Sequence, residues 1–230
     1  MSIWTILALA FAPGLFWLWF FYRKDKIEPE PKILIIKVFF WGMVAVFPVS
    51  LIETPFAGSQ FLLVVIAAPV IEEFAKYFVV RWSIYNNPEF DEPMDGIVYA
   101  AAAALGFAST ENAFYLLSAG RSSPSPAGAV LSVFVIRSLL AVPGHVLFST
   151  MWGCALGWAK FSAPDRARRL IMKGLLLAVG LHALYNWLVS NVPLISTLML
   201  IFLIGGWRMV NRRITAALEG SPHSASAPKA

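Results

Sequence analysis

Apolar residues in this chain run on for whole segments, and polar residues collect in the short stretches between them. A helix needs about 20 mostly apolar residues to cross the roughly 30 Å hydrocarbon layer of a bilayer. Segments of that kind fall at Ser2–Tyr22, Lys32–Ile52, Gln60–Trp82, Asp95–Ser118, Ala127–Lys160, Leu170–Ser190 and Pro193–Val210. The pattern predicts an all-α, polytopic transmembrane helix bundle of about seven spans. The first segment lacks a basic start and carries aromatic residues where a cleavage site needs small ones, so it reads as a span.

Ala127–Lys160 is long enough for one span or two short ones, and Pro143–Gly144 in its middle is expected to kink or break a helix. Loop charges arbitrate. With one span, Arg23, Lys24, Lys26 and Lys32 share a side with Lys160, Arg166, Arg168, Arg169 and Lys173, and Arg208, Arg212 and Arg213 join them. With two spans the later clusters move to the opposite side. Basic loops stay in the cytoplasm, so one span is favoured, with the N-terminus outside and the C-terminus cytoplasmic. The acidic loop Asn86–Asp95 then lies in the cytoplasm too. Residues 1–213 read as a single transmembrane domain, and 214–230 as a short cytoplasmic tail. Its end, Gly220–Ala230, is rich in Ser, Pro and Ala and is expected to be disordered, leaving His223 without a role.

Composition agrees. The 230 residues are 59% hydrophobic and 13% charged, with 18 Phe and 9 Trp, where soluble domains carry about 25% charged residues. A multi-pass protein of the cell membrane is expected, its main partner the lipid bilayer. The excess of 18 Lys and Arg over 13 Asp and Glu sits in loops, with no basic, aromatic-interleaved patch for nucleic acid. The single cysteine, Cys154, excludes an internal disulfide and a cysteine-based zinc cluster.

The informative residues are ionisable groups inside spans, each costing about 2.5–3.5 kcal/mol if isolated at a helix centre. They are Glu72, Glu73 and Lys76 in the third segment, Glu111 in the fourth, Arg137 and His145 in the fifth, and His182 in the sixth. Such pooling predicts one polar site buried among four helices. Lys76 is four residues from Glu72 and three from Glu73, so it can neutralise either. The two carboxylates point about 100° apart, so one is expected to be held ionised while the other takes a proton or a cation. Ala100–Ala104 and Gly106 read as a close-packing face. His182 and Asn186 share a helix face.

Two imidazoles with two carboxylates suit zinc, which would acidify a water and polarise a peptide carbonyl. Without metal, a glutamate and a histidine can activate water while His182 and Asn186 donate to the oxyanion. Both routes give hydrolysis. Ser109, Ser149 and Thr150 lack a clear base, which disfavours a serine nucleophile. The alternatives from other classes are a proton-coupled transporter and a non-catalytic membrane protein built on the same buried network. Against transport, the chain shows no inverted repeat and no paired broken segments.

The ordered set Glu72-Glu73-Phe-Ala-Lys76, Asp95-Gly96-Ile97-Val98-Tyr99 leading to Gly106-Phe107-x-x-x-Glu111-Asn112, His145 with Ser149-Thr150, and His182-x-x-x-Asn186 resembles the PrsW family. That family sits in a superfamily of intramembrane proteases that includes the CAAX prenyl endopeptidases. The resemblance runs from about Trp4 to Arg213. It implies a membrane-embedded endopeptidase, generally treated as a metallopeptidase. Its typical act is first-site cleavage of a single-span membrane protein such as an anti-sigma factor. It further implies that Glu72 and Glu73 are the essential pair and His182 the essential histidine. In the CAAX enzymes the position matching Glu111 is a histidine, and His145 is placed to supply that imidazole. The expectation is therefore zinc on Glu111, His145 and His182, with Glu72 or Glu73 as base and Asn186 assisting; a metal-free mechanism is the variant.

Overall fold

The computed structural model describes residues 2–193 and 197–224, and within them every regular element is helical. Helix α1 is Ile3–Lys24, and α2 is Lys32–Glu53, closed by a 3₁₀ turn at Thr54–Phe56. Helix α3, Ala68–Ser83, is entered through a π-helical turn at Leu62–Ala67. Helix α4 is Pro93–Ser122. Helix α5 runs through Pro126–Lys160 with a π-helical turn at Arg137–Ala141. Helices α6, Pro164–Asn191, and α7, Thr197–Glu219, complete the chain. Residues 194–196 of the expected last span and 225–230 of the expected tail lie outside the described residues.

Four stretches, Ile3–Lys24, Lys32–Phe56, Pro126–Lys160 and Pro164–Asn191, are long and apolar enough to cross a membrane. The outward surface is apolar, with Trp4, Ile33, Leu51, Trp82 and Leu139 all exposed. Such a surface is a liability in water and a match for acyl chains. Proline begins α4, α5 and α6 at the first helical position, where its missing N–H costs nothing. Glu92 and Asp95 add a reciprocal cap to α4, each side chain accepting from the other's backbone N–H.

Helix α4 is the axis of the molecule. From Pro93 to Ser109 every residue is buried, because α1, α2, α5 and α7 pack around it. The small-residue stretch expected to form one face is thus enclosed on all sides. A Cβ added to Gly96 would strike the Gly153 carbonyl, and one added to Gly157 would strike that of Pro93. The backbones of α4 and α5 therefore touch, as small residues spaced four apart allow.

Pro143 does not break α5. The expected break is replaced by the wider turn Arg137–Ala141, which ends just before Val142-Pro143. A π turn shifts the hydrogen-bond register by one residue and so absorbs a proline without ending the helix. The same device precedes Pro69 in α3.

The loops after α1 and α3 meet the chain beyond α5 and α7 at one end of the bundle. There Lys37 Nζ donates to the Ser83 carbonyl at 3.1 Å and Lys160 Nζ donates to that of Tyr85 at 2.5 Å. The Tyr99 hydroxyl donates to Glu30, and the Ser221 hydroxyl to Glu92. Helix α7 continues past Arg213 to Glu219, and Ser221 is buried. The start of the expected tail is therefore packed structure.

Candidate active site

Both proline-linked π turns lead directly into polar residues. Glu72, Glu73 and Lys76 follow Pro69 on α3, and His145 follows Pro143 on α5. From His145, one face of α5 continues through Ser149 and Trp152 and is wholly buried. Helix α6 brings His182, and α4 brings Glu111. The polar side chains expected to pool among four helices do meet, from α3, α4, α5 and α6.

Lys76 is fully buried and uses its three donors on three groups. Its Nζ lies 2.9 Å from Glu72 Oε2, 3.0 Å from Glu73 Oε1 and 3.0 Å from His145 Nδ1. The ammonium also sits 4.4 Å from the centre of the Phe107 ring. One lysine faces two carboxylates, so with neutral imidazoles the α3 group carries an excess negative charge.

The two glutamates differ sharply. Glu73 Oε1 accepts from Lys76 and, at 3.1 Å, meets His182 Nδ1; its Oε2 accepts from Ser149 Oγ at 2.7 Å and Trp152 Nε1 at 3.0 Å. Both oxygens are occupied, and the residue is fully buried. Glu72 accepts from Lys76 through Oε2, which also lies 3.7 Å from His145 Nδ1, and Oε1 has no donor among the described residues. Glu72 is the carboxylate with capacity for a proton or a cation. The sequence predicts that Lys76 holds one carboxylate and leaves the other free; in the structure Lys76 touches both, and it is Ser149, Trp152 and His182 that set Glu73 apart.

The histidine tautomers follow from these partners. An ammonium can only donate, so His145 Nδ1 accepts from Lys76 and the ring proton resides on Nε2. That N–H donates to Glu111 Oε2 at 3.0 Å. For His182 the proton is on Nδ1, donated to Glu73, which leaves the Nε2 lone pair. Phe148 stacks on the His182 ring, with centroids 4.8 Å apart, and fixes its plane.

The expected metal set is rearranged. Ligand atoms of Glu72, His145 and His182 all lie within 4.8 Å of one another. Glu111 stands behind His145, where its Oε2 also accepts from Arg137 Nη2 at 2.7 Å. Arg137 Nε donates to Asn112, and its guanidinium lies 3.9 Å from the Tyr115 ring centre. Glu111 thus balances the arginine and orients the imidazole.

Asn186 is likewise engaged elsewhere than expected. Its Nδ2 donates to the Val64 carbonyl at 2.8 Å, a main-chain oxygen five residues before Pro69, where a π turn would seek an N–H that proline lacks. Asn186 supplies that donor and ties α6 to the turn that aims Glu72. Ser149 spends its hydroxyl on Glu73, and Ser109 is buried on α4 away from these contacts. Sequence reading missed Trp152 and Phe148. Trp152 could have been found as the next turn of the His145–Ser149 face; Phe148 carried no signal apart from its bulk.

A family model described as PrsW family intramembrane metalloprotease matches residues 30–207. The Protease PrsW of Geobacillus kaustophilus is 34% identical over 218 residues, covering 93% of this chain and 92% of that protein. The Bacillus subtilis protein of the same name is 34% identical over 208 residues, covering 88% and 91%. That of Clostridioides difficile is 28% identical over 206 residues, covering 85% and 83%. No solved structure matches.

Proposed function

The chain belongs to the PrsW family of intramembrane proteases, and we propose that it hydrolyses a peptide bond of a single-span membrane protein, such as an anti-sigma factor, at Glu72, His145 and His182. The observation that carries this reading is the contrast between the saturated Glu73 and the open Glu72 beside two histidines, each with its second nitrogen on a carboxylate.

The donor set fits a metal. Two imidazoles and a carboxylate form a known zinc combination, and ligand histidines usually give their other N–H to a carboxylate, as both do here. His182, through its open Nε2, and Glu72 would hold the ion, with His145 joining them once Lys76 moves off its Nδ1. A zinc ion in such a set polarises a carbonyl and lowers the pKa of water to about 7. The chain's own residues do the rest. Glu72 Oε1 serves in one of two ways: as a ligand where an ion is bound, or, in the metal-free variant, as the base that takes the proton of the attacking water and returns it to the departing amine. Glu73 and Glu111 keep the two rings in one tautomer each, and Lys76 offsets the carboxylate charge. Burial removes bulk water, which strengthens each of these contacts.

The reading includes seven crossings with the N-terminus outside and the C-terminus cytoplasmic. Two features support it: α5 is continuous through Pro143, and the loops after α1 and α3 meet the chain beyond α5 and α7 at one end.

Co-expression with an epitope-tagged single-span substrate tests the function. Processing is expected with the wild-type chain and lost with Glu72→Gln and His182→Ala, while metal analysis of purified protein is expected to find zinc that His182→Ala lacks. Unchanged processing in both variants overturns the protease site, and a fully active metal-free preparation overturns the zinc assignment alone.

A further inference from the structure

Between α2 and α3 runs a groove of about 900 Å³ that the site above does not use. Its residues extend from Lys37 to Ile52 on α2, a rise of about 22 Å and so most of the hydrocarbon layer. At the loop end its two walls are bridged, since Lys37 and the Ser83 whose carbonyl it meets both line the groove. Trp41 and Trp82 stand exposed in that half, as aromatic residues do near a membrane surface. The floor is thin. Ala45 and Val49 pack there with Ile71 and Ala75, and Phe107 belongs to the same cluster. Phe107 is also the ring beside the Lys76 ammonium. Ile71 immediately precedes Glu72 and Ala75 immediately precedes Lys76, so α3 is at once a wall of the groove and the carrier of the carboxylates.

We propose that this groove receives the transmembrane helix of the protein substrate, making α2 and α3 the flank by which a polypeptide reaches Glu72. The identity of that helix rests on the protease reading. Two open acceptors select a polypeptide over lipid tails. Pro48 has no N–H for the Val44 carbonyl, both residues line the groove, and no side chain among the described residues donates to that oxygen. Ile52 is the last groove residue of α2, and Glu53 after it keeps a buried Oε1 without a donor, within electrostatic reach of Glu72 and Glu111. Such oxygens are costly in hydrocarbon. Acyl chains carry no donor; a polypeptide brings N–H and hydroxyl groups. The small side chains of Ala45 and Ala75 let a third backbone come close, which favours Gly, Ala, Ser or Thr at the facing turn of the guest helix. Glu53 then ties the end of the groove away from Lys37 to the catalytic carboxylates.

The test uses the full-length chain in membranes, co-expressed with an epitope-tagged single-span anti-sigma factor. In a Glu72→Gln background that traps the complex, the photocrosslinker p-benzoylphenylalanine replaces Trp41, Trp82 or, on α1, the exposed Leu15. Substrate adducts are expected from the two tryptophan positions and not from Leu15. In the active chain, Val44→Trp and Val70→Trp fill the groove. They should lower processing about 10-fold or more, while Leu15→Trp processes like the wild type. Melting temperatures identify filled variants that still fold, and the crosslinking arm does not depend on them. Wild-type processing in both filled variants, or adducts that form equally at Leu15, overturns the proposal and leaves the protease reading intact. Phospholipid that co-purifies with the wild type and is lost from Val44→Trp, with processing unchanged, assigns the groove to lipid and overturns it as well. Groove adducts without processing by the wild-type chain sustain the docking surface and overturn the protease reading instead.

Discussion

His182 Nδ1 and Glu73 Oε1 lie 3.1 Å apart, a contact between α6 and α3 across 109 residues of sequence. It places the ring proton on Nδ1, so the nitrogen that remains for chemistry is Nε2. On the proposed reading, the fully engaged carboxylate acts through its neighbours and the open one acts directly.

Glu72→Gln and Glu73→Gln should part company. Glu72→Gln is expected to abolish cleavage with melting near that of the wild type. Glu73→Gln places an amide among four donors, at least one of which then loses its acceptor. That costs about 1–3 kcal/mol per buried group, so it should lower both melting temperature and activity. Thermal melts in detergent beside cleavage assays separate the two.

Glu111→Gln should weaken zinc retention and activity by about 10–100-fold, the usual effect of losing the carboxylate behind a ligand histidine. It also strands Arg137. The double variant Glu111→Gln, Arg137→Gln should regain stability without regaining activity, as melting and cleavage measured together would reveal.

Asn186→Ala should cost about 1–3 kcal/mol by leaving the Val64 carbonyl unpaired. In a Pro69→Ala background the restored main-chain N–H can take over, so the same change should cost less. A double-mutant cycle on melting free energy checks this coupling.

How far the sequence could carry this picture is clear from particular residues. The long apolar runs that became α1, α2, α5 and α6 were legible because lipid demands them. The pooling of Glu72, Glu73, Lys76, Glu111, His145 and His182 was legible because membrane charges need company. Which carboxylate pairs with which base was not. Glu111 meets Arg137 across two helices, and spacing along the chain does not encode their relative rotation. The task of Asn186 was hidden because the need for it arises at Pro69, on another helix. The packing of Ser221 and His223 was masked by a Ser- and Pro-rich context that usually signals disorder.

Stability at the loop end should fall as pH rises from about 4 to 8. Burial, reinforced by Glu92 and Asp95, pushes Asp25 up to about 8, against about 3.9 in an unfolded chain. In that window the folded state keeps a proton that the unfolded state has released, so each step up in pH favours unfolding; below it both states are protonated and the slope vanishes. Melting temperatures across this range, taken with chelator present, should show the slope in the wild type and a flatter line in Asp25→Asn.

The main-chain contact of α4 with α5 at Gly96, Gly153 and Gly157 limits traffic. Two helices whose backbones abut leave no slot for a polypeptide, so this seam is closed as a route inward. A substrate strand has to arrive by another flank of the bundle, and bulky residues at those glycines would pry apart the wall that holds His145 in place.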